Sequence, residues 1–402
     1  MKPHNTVSPS GHIFYFSKVF TSRHGGSLFA QWLIPTLLDD GYSVTLISEN
    51  LGDISSFSAN PRLNVFQTSS FFQRGFLNVF HKAREIISIC RMILATPGAI
   101  VVVQGDLPRV TYLSLQLFVP LLFWRQDGIL TCPANNRFLP RSRRVCRKPL
   151  GFSCLAVDRK EGCLGGLSPV KRLGRIVFRL RDYYLLKMIR NFVATSEYIG
   201  RVHERKASIL YPACYGIASQ LADGERNLKR IVFCARLEVV KGCDETIRIL
   251  ARLPHEYFLE IISDGPCMDS LKQLARDLGI HDRVTFHGWV SREERDRIFA
   301  SAGVFLMTSL WDEAFGMTGF EAFLQGTPVV AYDVGGVAEW CRAPAGVLVV
   351  CSDVVAAADA VLALTRNVSG WNEASHQAVS ISQEFGVDIF KENFKRLMAE
   401  AN

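Results

Sequence analysis

The sequence predicts an α/β protein made of two doubly wound parallel sheets that face each other across a cleft. Three observations carry this. Short, unbroken apolar runs alternate with helix-length stretches along most of the chain, the signature of parallel strands joined by helices. The pattern weakens over residues 213–227, which contain Gly216 and Gly224, and restarts at Arg230. The length, 402 residues, suits two domains.

The elements follow in order. Residues 13–16 are a first strand, followed by Ser22-Arg23-His24-Gly25-Gly26-Ser27 and a helix to about Leu38. Strands are expected at 42–48 and 65–67, a helix at 86–94, then strands at 100–103, 119–124, 192–196 and 209–211. Residues 100–103 are apolar without interruption, as buried parallel strands are. In the second half strands are expected at 230–235, 258–263, 284–287, 304–307 and 329–332. The helices between them are 244–253, 268–278, 292–300 and 318–324, and a further helix covers 388–401. Ligands of such sheets bind outside the carboxyl ends of the strands, so chemistry is sought in the loops that follow them.

Composition narrows the function class. The chain is 48% hydrophobic and 21% charged, with material for two cores. Its net charge of +8 is short of a dedicated nucleic-acid binder, and no nucleic-acid partner is expected. Basic residues crowd between Arg137 and Arg190, including Arg141, Arg143, Arg147, Lys171, Arg175 and Lys187, against Asp158, Glu161 and Asp182. That stretch is either a solvated surface or a contact for an anionic partner such as an anionic membrane surface. Eleven cysteines and the lack of a leader-like apolar run predict free thiols and a cytoplasmic protein. The longest apolar stretch, 113–124, falls short of the ~20 residues of a membrane span and contains Pro120, so any membrane contact is peripheral, at the inner face.

The second half holds the richest segment, Glu313-Ala314-Phe315-Gly316-Met317-Thr318-Gly319-Phe320-Glu321. It reads as a strand-to-helix turn with a carboxylate at each end. Free amides at the helix start suit a diphosphate, and a carboxylate suits sugar or ribose hydroxyls. The bland alternative is a surface acid plus an acid favoured by the helix dipole. Upstream, Arg236 and Lys241-Gly242 share one strand–helix loop. An Arg fork and a Lys point charge can grip a diphosphate and neutralise it as it leaves.

Residues 230–339 resemble the C-terminal domain of the family 4 glycosyltransferases, which have the GT-B fold of two Rossmann-like domains. The matching pieces are Ala235-Arg236-Leu237 with Lys241-Gly242, Ser263-Asp264-Gly265-Pro266, Arg283 to Gly288, the Glu313–Glu321 segment, and Gly326 to Ala331 with Gly335-Gly336 and Glu339. The resemblance implies retaining transfer of a sugar from a nucleoside-diphosphate sugar to a glycan or lipid-linked acceptor, with no cofactor beyond that co-substrate. It implies Arg236 and Lys241 on the diphosphate, Glu313 beside the donor sugar and Glu321 on the ribose. Phe315, Gly316, Met317 and Thr318 would meet the donor chiefly through backbone. Asp264 would lie on the donor side too, and Gly288 and Val290 near the base. His24-Gly25-Gly26 resembles the glycine-rich loop that approaches the donor phosphate from the other domain.

The implied organisation is an acceptor-binding domain at 1–215, with a basic, cysteine-containing loop at about 126–175. A nucleotide-sugar-binding domain follows at 216–385, and a helix in 386–402 packs back toward the first domain. Departures from the family are Ala235 and Ser263 at frequent glycine positions, and Gln126-Asp127 where relatives carry His-Asp. Gln126 cannot titrate, so it and Asp127 are candidates for binding the sugar or acceptor, not for proton transfer. Cys132, Cys146, Cys154 and Cys163 lack the close pairs of structural zinc sites and read as reduced thiols, with a metal cluster the lesser alternative. The competing functions are a GT-B relative that binds nucleotide sugar without transfer, and a GT-B epimerase or phosphorylase.

Overall fold

In the computed structural model the first sheet forms around His12–Ser17 (β1), whose side chains alternate between two buried faces. Ile13 and Tyr15 enter one core, and Phe14 and Phe16 the other. The structure describes residues 11–20, 25–52, 54–55, 57–68, 79–104, 109–213 and 226–401. The remaining strands of this sheet are β2 (Ser43–Ser48), β3 (Leu63–Gln67), β4 (Ala99–Gln104), β5 (Leu121–Arg125), β6 (Asn191–Ala194) and β7 (Ser208–Ile209). Their order is β7-β6-β5-β4-β1-β2-β3, all parallel.

Helices cover both faces, as a parallel sheet requires. Helix α1 (Gly25–Asp39) lies on the Ile13 face, and α2 (Val79–Leu94), α3 (Arg109–Leu115), α5 (Pro169–Leu186) and α6 (Glu197–Val202) lie on the Phe14 face. Helix α4 (Ser153–Glu161) packs on α5.

The second sheet holds β8 (Asn227–Cys234), β9 (Phe258–Ile262), β10 (Val284–Gly288), β11 (Ala302–Met307), β12 (Val329–Tyr332) and β13 (Gly346–Val349). Its order, β10-β9-β8-β11-β12-β13, repeats the first and is again all parallel. Helices α7 (Cys243–Leu250), α8 (Met268–Asp277), α9 (Arg292–Ser301), α10 (Met317–Leu324), α11 (Val354–Thr365) and α12 (Val368–Gln383) surround it. In each sheet the winding reverses beside the first strand, between β1 and β4 and between β8 and β11. Those two switch points are where such sheets hold ligands.

Three sequence expectations change. The loop expected at about 126–175 holds several regular elements: a 3-10 turn (Ile129–Thr131), a small antiparallel pair (Phe138–Leu139 with Arg144–Val145), α4 and the start of α5. Helix α5 eluded the reading because it buries Arg179 and Asp182 and exposes Val177 and Phe178, so its hydrophobic pattern points the wrong way. Between Gly336 and Asp388, where no element was expected, the chain forms β13, α11 and α12. Most of the stretch read as the domain boundary, 214–225, lies outside the described residues.

Helix α13 (Val387–Ala401) leaves the second domain and packs on the first sheet. Phe390, Phe394, Leu397 and Met398 recur at helical spacing and are buried there. The Phe390 ring meets Trp32 and Trp124, with centroids 5.5 and 5.9 Å away. Lys391 and Lys395 flank the stripe and reach Asp40 at 3.6 and 3.2 Å. Phe390→Ala is expected to cost about 3 kcal/mol through the cavity it leaves. In urea this appears as a lower midpoint of the first domain at unchanged slope. An unmoved midpoint would mean that the ring adds nothing to that core.

Candidate functional site

The chain leaves β8 at Cys234 and β11 at Met307, on the two sides of the second switch point, and the two loops interlock. The loop after β8 closes in a 3-10 turn, Val239–Lys241, and Gly242 follows at φ 63°. A Cβ on Gly242 would stand 1.9 Å from the Thr308 carbonyl oxygen, so no side chain fits there. The Leu310 amide donates to the Val240 carbonyl (2.8 Å), and the Thr308 hydroxyl to the Gly242 carbonyl (2.9 Å).

Glu313 sits where these loops meet, and its side chain is only 12% exposed. Its Oε1 accepts from Lys241 Nζ at 2.6 Å, Ser309 Oγ at 2.6 Å and Trp311 Nε1 at 3.0 Å. The Lys241 ammonium also lies 4.7 Å from the centre of the Trp311 ring. Burial pushes the Glu313 carboxyl up, but the Lys241 charge and the three hydrogen bonds outweigh it and hold it below the ordinary glutamate value. A third loop closes on its backbone. The Gly336 amide donates to the Glu313 carbonyl at 2.8 Å, and a Cβ on Gly335 would lie 2.0 Å from that oxygen.

Helix α10 begins four residues later. Gly316, at φ 89°, is its N-cap and brings no side chain to the first turn, so among the described residues no side chain accepts from the amides of Met317, Thr318 and Gly319. Phe315 is pinned from behind. Its ring packs among Tyr211, Phe320, Trp340 and Phe385, and its carbonyl accepts from Trp340 Nε1 at 2.5 Å. Glu321, on the same helix, lies 3.2 Å from Arg295 Nη1 of α9. Burial raises its carboxyl above the ordinary value, and the Arg295 charge only partly offsets that. Arg236 is 68% exposed and paired with Glu238 in its own loop (2.9 Å), so Lys241 alone of the two cations meets Glu313.

The other donor-side candidates lie on the loops after β9 and β10. Asp264 is exposed, accepts from the amide of Gly265 at 2.6 Å, and holds Leu237 through its carbonyl. Ser263 has φ 102°, a conformation suited to glycine, and donates its amide to the Gly288 carbonyl (2.7 Å). Gly288 is itself at φ 68°, and Val290 is half-buried against the second core.

On the opposite wall, Gln126 accepts from Gln104 Nε2 at 2.8 Å. Asp127 pairs with the buried Arg125, caps the Ile129 amide (3.2 Å) and accepts through its carbonyl from His203 at 3.1 Å. Burial, with help from Arg125, drives the His203 pKa down to about 3, so that ring is neutral. Gly25 and Gly26 open helix α1 instead of preceding it; glycine is tolerated where helix amides are unpaired. His24 lies outside the described residues.

The contacts between the two walls escaped the sequence. Phe138, from the 3-10/hairpin arm of the first domain, is buried in the core of the second. Arg143 forks onto Asp244 at 2.8 and 2.6 Å, and Arg147 reaches Asp312 at 3.0 Å, with Tyr198 on the same carboxylate. Glu339 accepts from the Glu197 and Tyr198 amides (2.9 and 2.8 Å), capping α6 from across the cleft. Part of the basic stretch is therefore an internal clasp, not a solvated face. The position of Asp312 beside Glu313, and Glu339 within the family pattern, were the only available signals.

Cys132 and Cys146 lie near enough to Cys163 and Cys154 to add to the effect of burial on those thiols, and Cys163 is pushed up to about 11. Raised thiols resist becoming the thiolates a metal needs. Among the described residues, no three His, Cys, Asp or Glu are arranged to hold a metal ion.

Lys241→Met would leave the Glu313 carboxylate buried without its cation. A depressed carboxyl pKa contributes stability above the ordinary glutamate value and loses it as pH falls through the folded value. The expected loss is therefore about 2 kcal/mol at neutral pH, shrinking only as the pH falls below the ordinary glutamate value toward about pH 3. Thermal unfolding at the two pH values checks this. An equal loss at both would show that the pair is not the cause.

Comparison with known proteins bears on the fold and on the second domain's sequence. Residues 221–379 match the family model for glycosyl transferases group 1. A D-inositol 3-phosphate glycosyltransferase of Mycobacterium marinum is 32% identical over 185 residues, 43% of this chain and 39% of that protein. An uncharacterised glycosyltransferase of Methanocaldococcus jannaschii is 35% identical over 113 residues, 28% of this chain and 29% of that protein. The matched stretch thus spans well under half of these relatives. Among solved structures, Anabaena HepE with UDP and glucose aligns over 97% of this chain and 100% of its own, with TM-score 0.69 and 15% identity. Sucrose-phosphate synthase of Thermosynechococcus elongatus aligns over 97% and 98%, with TM-score 0.72 and 16% identity. The chain has the GT-B fold, and its residues 221–379 match the family model of the group 1 glycosyl transferases.

Proposed function

We propose that the chain transfers a sugar, with retention of configuration, from a nucleoside-diphosphate sugar to a glycan or lipid-linked acceptor at the cytoplasmic face of a membrane. The observation that carries this is the convergence of Lys241, Glu313 and the uncapped start of α10 at the β8/β11 switch point. The α10 amides and Lys241 take the diphosphate, and the solvent-facing Arg236 leaves Glu238 to join them. These positive groups stabilise the charge that grows as the sugar–phosphate bond breaks, so the reading needs no metal. The acceptor oxygen attacks the same face of the sugar, and its proton passes to the leaving phosphate. No titrating group is required at Gln126.

Glu313 lies beside the sugar, and Glu321 accepts the ribose hydroxyls. Phe315, Gly316, Met317 and Thr318 line the diphosphate and sugar, while Asp264, Gly288 and Val290 flank the base. Gly25, Gly26 and His24 approach from the first domain, and Gln126 and Asp127 border the acceptor. HepE is solved with UDP-glucose, which makes a uridine donor the first to try.

Thermal shift with UDP-, GDP- and ADP-sugars should raise the melting temperature for one donor class, by mass action on the native state. No shift with any donor would remove the proposal. With that donor, Arg236→Ala should lower kcat about 10²-fold while leaving the melting temperature unchanged, since the side chain is exposed. Glu313→Gln should lower kcat by a similar factor. A wild-type chain that binds donor but never releases nucleoside diphosphate would instead be a binding protein.

A further inference from the structure

The helices on the Phe14 face of the first sheet carry an apolar surface that no described residue covers. Helix α5 buries Ile176, Arg179, Asp182, Tyr183 and Leu186. On its other side Leu173, Val177 and Tyr184 fall on one line along the axis, with Val170 and Phe178 beside it. Val170, Phe178, Tyr184 and Met188 are each more than half exposed. The surface continues onto the turn after α3. Gln116 donates to the Met188 carbonyl (3.1 Å) and accepts from the Arg190 amide (3.0 Å), which sets the exposed Leu117 and Phe118 beside the end of α5. An apolar surface of this extent marks an interaction site.

Charge selects the occupant. Within α5 five basic residues, Lys171, Arg172, Arg175, Arg179 and Arg181, face one acid, Asp182, which is buried. Lys171 and Arg175 are exposed on the flank of the helix beyond Phe178, and Lys187, 3.6 Å from Glu204, is exposed on the other flank. Arg181 lies over the Phe178 ring at 5.1 Å, and Lys187 over Tyr183 at 4.7 Å, so the cations rim the apolar side chains. A second copy would bring the same positive stripe against itself. Apolar side chains that enter the headgroup boundary, rimmed by cations that meet phosphates, suit an anionic bilayer.

We propose that α5, with Leu117 and Phe118, docks the first domain on an anionic phospholipid membrane. This deepens the acceptor side of the proposed function by naming the surface on which a lipid-linked acceptor would be met. The apolar stripe enters the boundary between headgroups and chains, and Lys171, Arg175 and Lys187 lie on lipid phosphates.

The test is co-sedimentation of the full chain with vesicles of phosphatidylcholine, alone or with about one-third phosphatidylglycerol, at low and high salt. Partition is expected to be at least about tenfold stronger on the anionic vesicles and to fall in high salt. Lys171→Glu/Arg175→Glu and Val177→Ser/Tyr184→Ser should each lower it about tenfold. All replaced residues are exposed, and a cooperative thermal transition at the wild-type melting temperature reports that the variants fold. Unchanged binding in both variants, or no binding by the wild type, would overturn the proposal. A wild-type dimer that Val177→Ser/Tyr184→Ser dissolves would overturn it in favour of a second copy. The vesicle readout needs no donor, so failure of the transferase reading would leave it standing. Turnover without vesicle binding would remove only this inference.

Discussion

The Glu313 carboxylate is the point on which the site depends. An ionised carboxylate cannot stay out of water without a counter-charge and donors for its lone pairs. Lys241, Ser309 and Trp311 supply these from two loops, and Gly335 and Gly336 press a third loop against its backbone. Removing the carboxylate would therefore untie the first two loops from each other and leave only the backbone contacts of the third. Because the polar groups are already oriented before ligand arrives, little reorganisation is left for the moment of reaction.

The two domains meet through charge and one buried ring. Phe138 enters the opposite core, while Arg143, Arg147 and Glu339 find partners across the cleft within a few residues of the switch-point loops. Asp312, next to Glu313, ties this clasp to the donor wall. The basic stretch thus divides by direction. Its first part turns inward and holds the domains together. Its second part, on α5, turns outward.

Much of this was legible from sequence where local pattern and tertiary role agree. The uninterrupted apolar runs at β4 and β11 could only be buried strands, whereas the tight backbone approaches at Gly242 and Gly335 emerge only from the structure. Legibility failed where the two disagree. Helix α5 hides an Arg and an Asp and shows a Val and a Phe, so periodicity misled. The cationic partners of Glu321 and Glu313 are far from them in sequence, and no spacing rule could have assigned Arg295 to one and Lys241 to the other. Ser263, a small departure from the family pattern on paper, proves to occupy a left-handed backbone conformation that glycine would hold without strain.

Helix α13 has a consequence for how the chain is made. The Ile13 face of the first sheet, including Trp124, needs Phe390 and Phe394 to cover it. On a ribosome that emits the chain in order, this face must wait through synthesis of the whole second domain before its cover appears. The first domain to emerge is therefore the last to be completed. During that interval a strip of aromatic surface is open to chaperones and to other nascent chains.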